Sequence, residues 1–168
     1  MHEYELKRLA AGDVEAAIQM AVNYRDLNQP QEAESICRDV LDVDPKNEKA
    51  LRILGLALTD RLNENRVGIF EEARAVFAKL ANEYERVYYD GVAWERMAKA
   101  DLLKNEGHNA LAALEHALDA FDKAQKLMTK PSPDPILRWN RCVRLLQSHP
   151  LLKDAFDAPH SRQPHLGD

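Results

Sequence analysis

The sequence predicts an all-α protein, and three observations support this prediction. Glycine is scarce, with six residues in 168, while the good helix formers Ala, Leu, Glu, Lys, Arg and Gln are abundant. Apolar residues recur at spacings of three and four nearly throughout, as they do on the buried face of a helix. No β-branched run alternates with polar residues, and no hairpin dipeptide joins two such runs.

Glycine, aspartate and proline residues mark the helix boundaries in the first part of the chain. A short first helix is expected to stop at Gly12, which suits the position just after a helix end. Asp13 can cap the next helix. Pro30 suits the first position of the following one, because its missing N–H is not needed there. The predicted helices cover about residues 3–11, 13–27, 30–43 and 48–62.

A polar loop and a group of prolines divide the rest of the chain. Residues 63–68 are polar and contain a glycine, so we expect a loop there. The prolines within 131–135 forbid continuation of a helix that would end near Met128. Predicted helices cover about residues 70–84, 91–104, 109–128 and 135–147. Residues 149–168 contain further prolines and are expected to form a flexible tail, poorly ordered beyond Phe156.

Composition and charge limit the classes of function. The net charge of −5 and the isoelectric point near 5.7 argue against a general nucleic-acid or membrane-surface binder. No stretch approaches the roughly 18 apolar residues of a membrane span, and the charged N-terminus lacks the apolar region of a secretory signal. Cys37 and Cys142 have neither metal nor redox spacing. We therefore expect a cytoplasmic protein with free thiols.

No pattern typical of a catalytic or metal site is found in the sequence. The six histidines are scattered, and no glycine-rich strand-to-helix turn is present to bind phosphates. His108 and His116 are too far apart to be metal ligands on adjacent helical turns. We expect no catalysis, no metal ion and no cofactor.

The same spacing of large and small residues recurs along the chain, first at an offset of 34 residues. The first stretch reads Ala17-x2-Met20-Ala21-x2-Tyr24, then Ala33-x3-Cys37. The second reads Leu51-x2-Leu54-Gly55-x2-Leu58, then Ala73-x3-Phe77. A looser third reads Trp94-x2-Met97-Ala98-x2-Asp101, then Ala110-x3-Leu114. The small residues at corresponding places are expected where helix backbones approach closely.

This pattern resembles the tetratricopeptide repeat (TPR), a helix pair of 34 residues. The resemblance covers about residues 13–128 and implies a short superhelical array of antiparallel helix pairs. The units are expected at about 14–47, 48–87 and 88–128. Helices over 3–11 and 135–147 would cap the two ends of the array, so that residues 1–148 form a single domain. The second unit departs from the family pattern by a longer internal turn, and the third has Asp101 in place of an aromatic residue.

The resemblance implies a co-chaperone-like adaptor or scaffold that holds another protein's peptide or helix in a concave groove. The first helix of each pair would line this groove. Its predicted lining residues are Ile18, Gln19, Val22, Arg25, Arg52, Ile53, Leu56, Thr59, Glu95, Arg96, Lys99 and Leu102. We expect Arg52 and Arg96 to be exposed beside an apolar strip, which suits a peptide with apolar anchors and some acidic residues. The alternative interpretation is that these positions are ordinary solvated helix faces.

One subtype of the family binds the C-terminal carboxylates of chaperones through a set of Lys, Asn and Arg side chains. The corresponding positions here hold Ile18, Val22, Ile53, Val92 and Arg96. Only Arg96 matches that set. We therefore do not expect binding of chaperone tails.

A second candidate surface lies in the last predicted helix. Arg138, Arg141 and Arg144 are spaced by three and form a slanting basic stripe beside Trp139. Arginine pairs with oxyanions bidentately, so the stripe could contact a phosphate, an acidic peptide or nucleic acid. The structural alternative is that these arginines pair with acids of a neighbouring helix while Trp139 and Val143 pack inward. A further alternative is a self-associating module that uses the apolar strip as a dimer interface.

Overall fold

The computed structural model describes residues 4–158, and these contain eight α-helices and no strand. The helices are α1 Val14–Asp26, α2 Pro30–Val43, α3 Glu48–Thr59, α4 Arg66–Phe77, α5 Glu83–Leu103, α6 Gly107–Leu127, α7 Asp134–Ser148 and α8 Pro150–Asp157. A 3-10 turn, Ala11–Asp13, precedes α1. The prediction of an all-α protein is confirmed.

Asparagine residues mark four of the helix boundaries. The side chains of Asn47 and Asn82 each accept a hydrogen bond from the backbone N–H three residues later, at 3.0 and 3.2 Å. These contacts satisfy a free N–H in the first turns of α3 and α5. Asn28 and Asn105 follow the ends of α1 and α5 with φ values of 58° and 59°. Asparagine tolerates this left-handed conformation, which ends a helix.

The helix predicted over 3–11 is wrong for the residues that the structure describes. Residues 4–10 are irregular, and the side chains of Tyr4 and Leu6 are 94% and 96% exposed. A helix of this length gains little stability unless it buries an apolar face, and here Leu9 packs against the core while Tyr4 and Leu6 stay exposed. The cap expected at the N-terminal end is therefore absent from 4–10.

Two helices begin earlier than the sequence predicts. α4 begins at Arg66, inside the predicted loop 63–68, and α3 ends at Thr59 rather than near residue 62, so the turn between them covers residues 60–65. α4 ends at Phe77 rather than near residue 84. α5 begins at Glu83 and runs for 21 residues, whereas the sequence predicts a helix only from about residue 91. The aromatic residues in its early turns explain the extension. Tyr89 stacks on Phe77 of α4 with ring centroids 5.1 Å apart.

α8 occupies part of the segment that was expected to be a flexible tail. Pro150 is at its first position, and the side chain of Leu152 is fully buried. α8 packs against α6 and α7. The packed part of the chain therefore continues past the boundary expected at 148, because a proline at the first position of a helix does not prevent it. The rest of the predicted tail, residues 159–168, lies outside the described residues.

The helices pack in chain order, and alternate helices also touch. Each of α1 to α7 contacts the next, and α1, α3, α5 and α7 form a second series of contacts. Four polar contacts between different helices join residues 33 to 35 positions apart. These pairs are Lys49 with Glu15, Arg38 with Glu72, Arg52 with Glu85, and Arg66 with Asp101. The period found in the sequence is therefore also a period of the contacts.

The small residues of the repeat pattern lie where helices approach closely, as predicted. Five alanines of the pattern have no exposed surface: Ala21, Ala33, Ala73, Ala98 and Ala110. A Cβ atom on Gly55 of α3 would lie 2.2 Å from the ring of Phe77 on α4. Glycine is therefore required for the close approach of α3 and α4. Cys37 is buried in the same core, as expected for an inert thiol.

Candidate functional site

Most of the apolar residues of the predicted groove belong to the core. Ile18 and Thr59 are each 4% exposed, and Ile53 and Leu56 are partly buried against the core clusters. Val22 is half-buried. The contacts of α1 with α3 and of α3 with α5 cover much of this strip. An open apolar strip along the first helices is therefore not present.

The polar residues of the predicted groove are mostly engaged in ion pairs. Gln19 is exposed, as predicted. Arg25 lies 2.7 Å from Asp60, and Arg52 lies 2.9 Å from Glu85. The expectation that Arg52 is exposed is wrong, since its side chain is only 27% exposed in this ion pair between α3 and α5.

A cleft of about 440 Å³ between α3, α5 and α7 combines residues of both predicted surfaces. We call it the cationic cleft, and its lining residues are Thr59, Asp60, Asn63, Arg96, Lys99, Ala100, Leu103, Arg138 and Arg141. The predicted groove and the predicted arginine stripe therefore meet in one place. They meet because α7 lies against α5, which the spacing of residues in the sequence does not reveal.

One side of the cationic cleft is organised around Asp60 at the end of α3. Its carboxylate accepts a 2.7 Å hydrogen bond from Arg25 and another from Arg96. Arg96 also donates to the Thr59 hydroxyl at 2.8 Å, and its side chain is only 20% exposed. The expectation that Arg96 is exposed is therefore wrong. Burial lowers the pKa of the Arg96 guanidinium, Asp60 raises it, and the nearby charges of Arg25 and Arg138 lower it further.

The other side of the cationic cleft is organised around Glu95, which has no exposed surface. Its two carboxylate oxygens contact three cations. Lys99 lies at 2.5 Å, Arg138 at 3.1 Å and Arg141 at 3.5 Å. A buried carboxylate requires such partners to remain charged. Glu95 therefore holds the basic residues of α5 and α7 together.

The three arginines of the stripe differ in what they contact. Arg138 and Arg141 pair with an acid of a neighbouring helix, as the structural alternative predicts. That alternative is wrong about Trp139, whose side chain is 38% exposed, and Cys142 is the residue that packs inward. Arg144 is exposed and does not line the cleft. The helical phase explains this division, since Cys142 lies on the face that meets α5 and α6.

The charges of the cationic cleft are not balanced. Five cationic side chains make ion pairs around two carboxylates: Arg25, Arg96, Lys99, Arg138 and Arg141 around Asp60 and Glu95. An excess of three positive charges remains in a protein whose net charge is −5. Such a local excess attracts anions. The sequence contains no clear signal of this excess, because four of the five ion pairs join residues 35 to 46 positions apart. The fifth, Glu95 with Lys99, has the ordinary i,i+4 spacing of a helix surface.

A second cavity of about 430 Å³ lies between α4, α5 and α6. The guanidinium of Arg74 lies 5.0 Å from the ring centre of Trp94, and Trp94 stacks on His116. Arg74 also forms a 2.7 Å ion pair with Asp90. The residues that line this cavity carry an excess of only one positive charge, with Arg74, Arg86 and Lys123 against Asp90 and Asp119. It therefore offers less attraction for an anion than the cationic cleft.

Residues 4–158 contain no candidate for a metal site and none for a membrane-spanning helix. No group of three or more His, Cys, Asp or Glu side chains there is placed to hold a metal ion. Within the same residues, no helix has both the length and the apolar character to cross a bilayer.

No family model matches this sequence, and no curated protein or solved structure matches it. The tetratricopeptide resemblance therefore depends on the residue spacing and on the packing of the small residues described above.

Proposed function

We propose that this chain is a non-catalytic scaffold of the tetratricopeptide type, with its helix pairs in a short superhelical array. Its cationic cleft binds an acidic segment of a partner protein. The observation that carries the proposal is the excess of three positive charges around Asp60 and Glu95. An acidic segment relieves this excess.

The rim of the cationic cleft also suits an apolar anchor beside the acidic residues. Leu103 is 82% exposed, and Ala100 lies one turn before it on α5. An apolar side chain of the partner that covers Leu103 would bury apolar surface next to the ion pairs. Contacts of both kinds agree with a peptide that has apolar anchors and some acidic residues.

The alternative of self-association through the apolar strip has less support. Ile18 is buried, and Ile53 and Leu56 pack against the core, so they offer little surface to a second copy. Nucleic acid is also a weaker candidate, because the excess of positive charge described above lies in one cleft of a protein with a net charge of −5.

The proposal is tested with short fluorescein-labelled peptides in which Leu is flanked by Glu, compared with the same peptides carrying Lys in place of Glu. Fluorescence anisotropy should show binding of the Glu peptide alone. Added salt should weaken it, since exposed charge pairs are screened. Absence of binding by the Glu peptide, or equal binding of both, would refute the proposal.

Arg141 and Arg144 give a matched pair of variants on one helix. Both are exposed, but only Arg141 lines the cationic cleft. Arg141→Glu should abolish binding of the Glu peptide, and Arg144→Glu should retain most of it although the change in charge is the same. Circular dichroism melts of both variants check that the fold persists. Equal losses in the two would indicate general charge attraction and contradict a site in the cleft.

A further inference from the structure

The basic residues of the cationic cleft are concentrated at one point rather than spread along a track. Arg96 and Lys99 come from α5, Arg138 and Arg141 from α7, and all four line one cavity of about 440 Å³. Asn63, beyond the end of α3, closes a third side. The donors therefore approach a ligand from three directions.

The guanidinium groups of the cleft keep unused donors. All three hydrogen bonds of Arg96 use Nη1, so its Nε and Nη2 donate to no residue in 4–158. The contact of Arg141 with Glu95 uses Nε at 3.5 Å, which leaves both of its Nη atoms without a partner among the same residues. Each guanidinium has five N–H donors in a fixed planar fork. These donors are available to an anion that enters the cleft.

We infer that the cationic cleft receives a phosphate monoester dianion, carried on a serine or threonine side chain of the partner segment. This inference rests on the proposed function and specifies its ligand. A phosphate group presents three acceptor oxygens in different directions and a charge of about −1.5 to −2 at neutral pH. A carboxylate presents two oxygens in one plane and a single charge. The phosphate therefore matches both the excess charge and the three-sided arrangement of donors.

A nucleic acid fits the same features less well. Its phosphates are strung along a backbone and require a long basic surface, as the steep salt dependence of such complexes shows. The basic residues here surround a single cavity. One phosphate group is therefore the ligand that the geometry favours.

The test uses three labelled peptides that differ only at one central residue, which is phosphoserine, Glu or Ser. Anisotropy titrations of the full chain should give an affinity for the phosphoserine peptide about tenfold or more above that for the Glu peptide, since each added charge-assisted hydrogen bond contributes on that scale. The Ser peptide should bind weakest. Equal affinities for the phosphoserine and Glu peptides overturn this inference and leave the proposed function standing. Failure of both peptides overturns the two together.

The pH dependence of binding provides a second test, because it depends on which acidic group the ligand carries. The second pKa of phosphate is about 6, whereas a Glu side chain stays ionised to about pH 4.3. Lowering the pH through 6 should weaken binding of the phosphoserine peptide several-fold and leave the Glu peptide nearly unchanged. The ionisable groups that line the cleft are the four basic residues of α5 and α7 together with Asp60, with Glu95 buried behind them. Among residues 4–158, no histidine lines the cleft. A parallel response of both peptides would contradict the inference.

Two variants separate phosphate recognition from simple charge. Arg138→Lys keeps a cation opposite Glu95 but removes the planar fork, so binding of the phosphoserine peptide should fall several-fold and the Glu peptide should change less. Arg141→Gln should weaken binding of the phosphoserine peptide about tenfold, and the control Arg144→Gln should leave that binding nearly unchanged. Equal effects on the two peptides in Arg138→Lys would overturn the inference.

Competition experiments distinguish the sources of phosphate. Inorganic phosphate should displace the phosphoserine peptide only at much higher concentration than the unlabelled peptide does. Equal potency would show a site for free phosphate and overturn the assignment to a partner segment. A single-stranded oligothymidylate that competes better than the unlabelled phosphopeptide would show a nucleic-acid surface and overturn it as well.

Discussion

The Nη1 atom of Arg138 lies 3.1 Å from the Oε2 atom of Glu95, a residue that has no exposed surface. Glu95 is on α5 and Arg138 is on α7, so this ion pair joins two helices that are not neighbours in the chain. The same carboxylate contacts Lys99 and Arg141. The floor of the cationic cleft and the position of the C-terminal helices therefore depend on one buried side chain.

Replacement of Glu95 should destabilise the fold and not only the cleft. Glu95→Ala removes the partner of three cations, and we expect a loss of about 2–3 kcal/mol, the scale of hydrogen bonds to charged groups. The cations retain access to water, which limits the loss. Urea unfolding measures the difference. Glu115→Ala, at an exposed position of α6, is the control and should change the free energy of unfolding by less than about 0.5 kcal/mol. Equal stability of the two variants would show that the ion pairs around Glu95 are not structural.

Gly55 should not tolerate a side chain. A Cβ there would lie 2.2 Å from the ring of Phe77, which is fully buried and stacked on Tyr89, so the ring has no room to move. Gly55→Leu should cost about 2–3 kcal/mol, since overpacking outweighs the gain of about 1 kcal/mol from removing a helical glycine. Ala98→Leu should also lower the stability of the fold, because Ala98 has no exposed surface.

The control for these variants is Gly12→Leu. A Cβ on Gly12 would meet no atom within 4 Å, so the melting temperature should stay nearly unchanged. If Gly55→Leu and Ala98→Leu also melt at the temperature of the parent protein, the register of the repeat pattern is wrong.

Helix content and close contacts could be predicted from the sequence because they depend on local spacing. Apolar residues at three and four positions identified most helices, and the small residues Ala21, Gly55 and Ala98 lie where the pattern places them. The boundaries of α4 and α5 could not be predicted in this way. Their first turns are stabilised by side chains of other helices, such as the stacking of Tyr89 on Phe77.

The candidate site could be predicted only in parts. Arg96, Lys99, Arg138 and Arg141 were all found as candidates, but in two separate surfaces. Their meeting depends on Glu95, which the sequence predicts to line the groove beside Arg96 and which is instead fully buried. Its burial follows from how α7 packs on α5, which is a long-range relationship.

Both cysteines should be inert in the folded protein. Burial raises the pKa of the Cys37 and Cys142 thiols from 9.0 to about 12, with the charge of Glu95 adding to the effect at Cys142. The neutral thiol is a poor nucleophile, so a disulfide reagent at pH 8 should react only after guanidinium unfolds the chain. Rapid reaction of either thiol in the native state would contradict the burial of that cysteine.

The same thiols should make the fold less stable in alkali. In the unfolded chain they ionise near pH 9, whereas in the folded protein they stay protonated up to about pH 12. The unfolded state therefore loses protons first, and stability should fall as the pH rises from 9 towards 12. Urea unfolding at several pH values measures this decrease. A Cys37→Ala variant serves as the control and should show a smaller slope over the same range.

The last prediction concerns α8, which the sequence alone did not identify as part of the packed chain. Leu152 has no exposed surface and belongs to the core cluster of α5 and α6, whereas Phe156 on the same helix is 66% exposed. Leu152→Ala should therefore cost about 2–5 kcal/mol, through lost burial and the cavity that remains. Phe156→Ala removes a larger side chain but should cost less than about 0.5 kcal/mol. Thermal melts followed by circular dichroism compare the two. A larger loss for Phe156→Ala than for Leu152→Ala would mean that α8 packs through its opposite face, and equal stability of both with the parent protein would mean that α8 adds nothing to the fold.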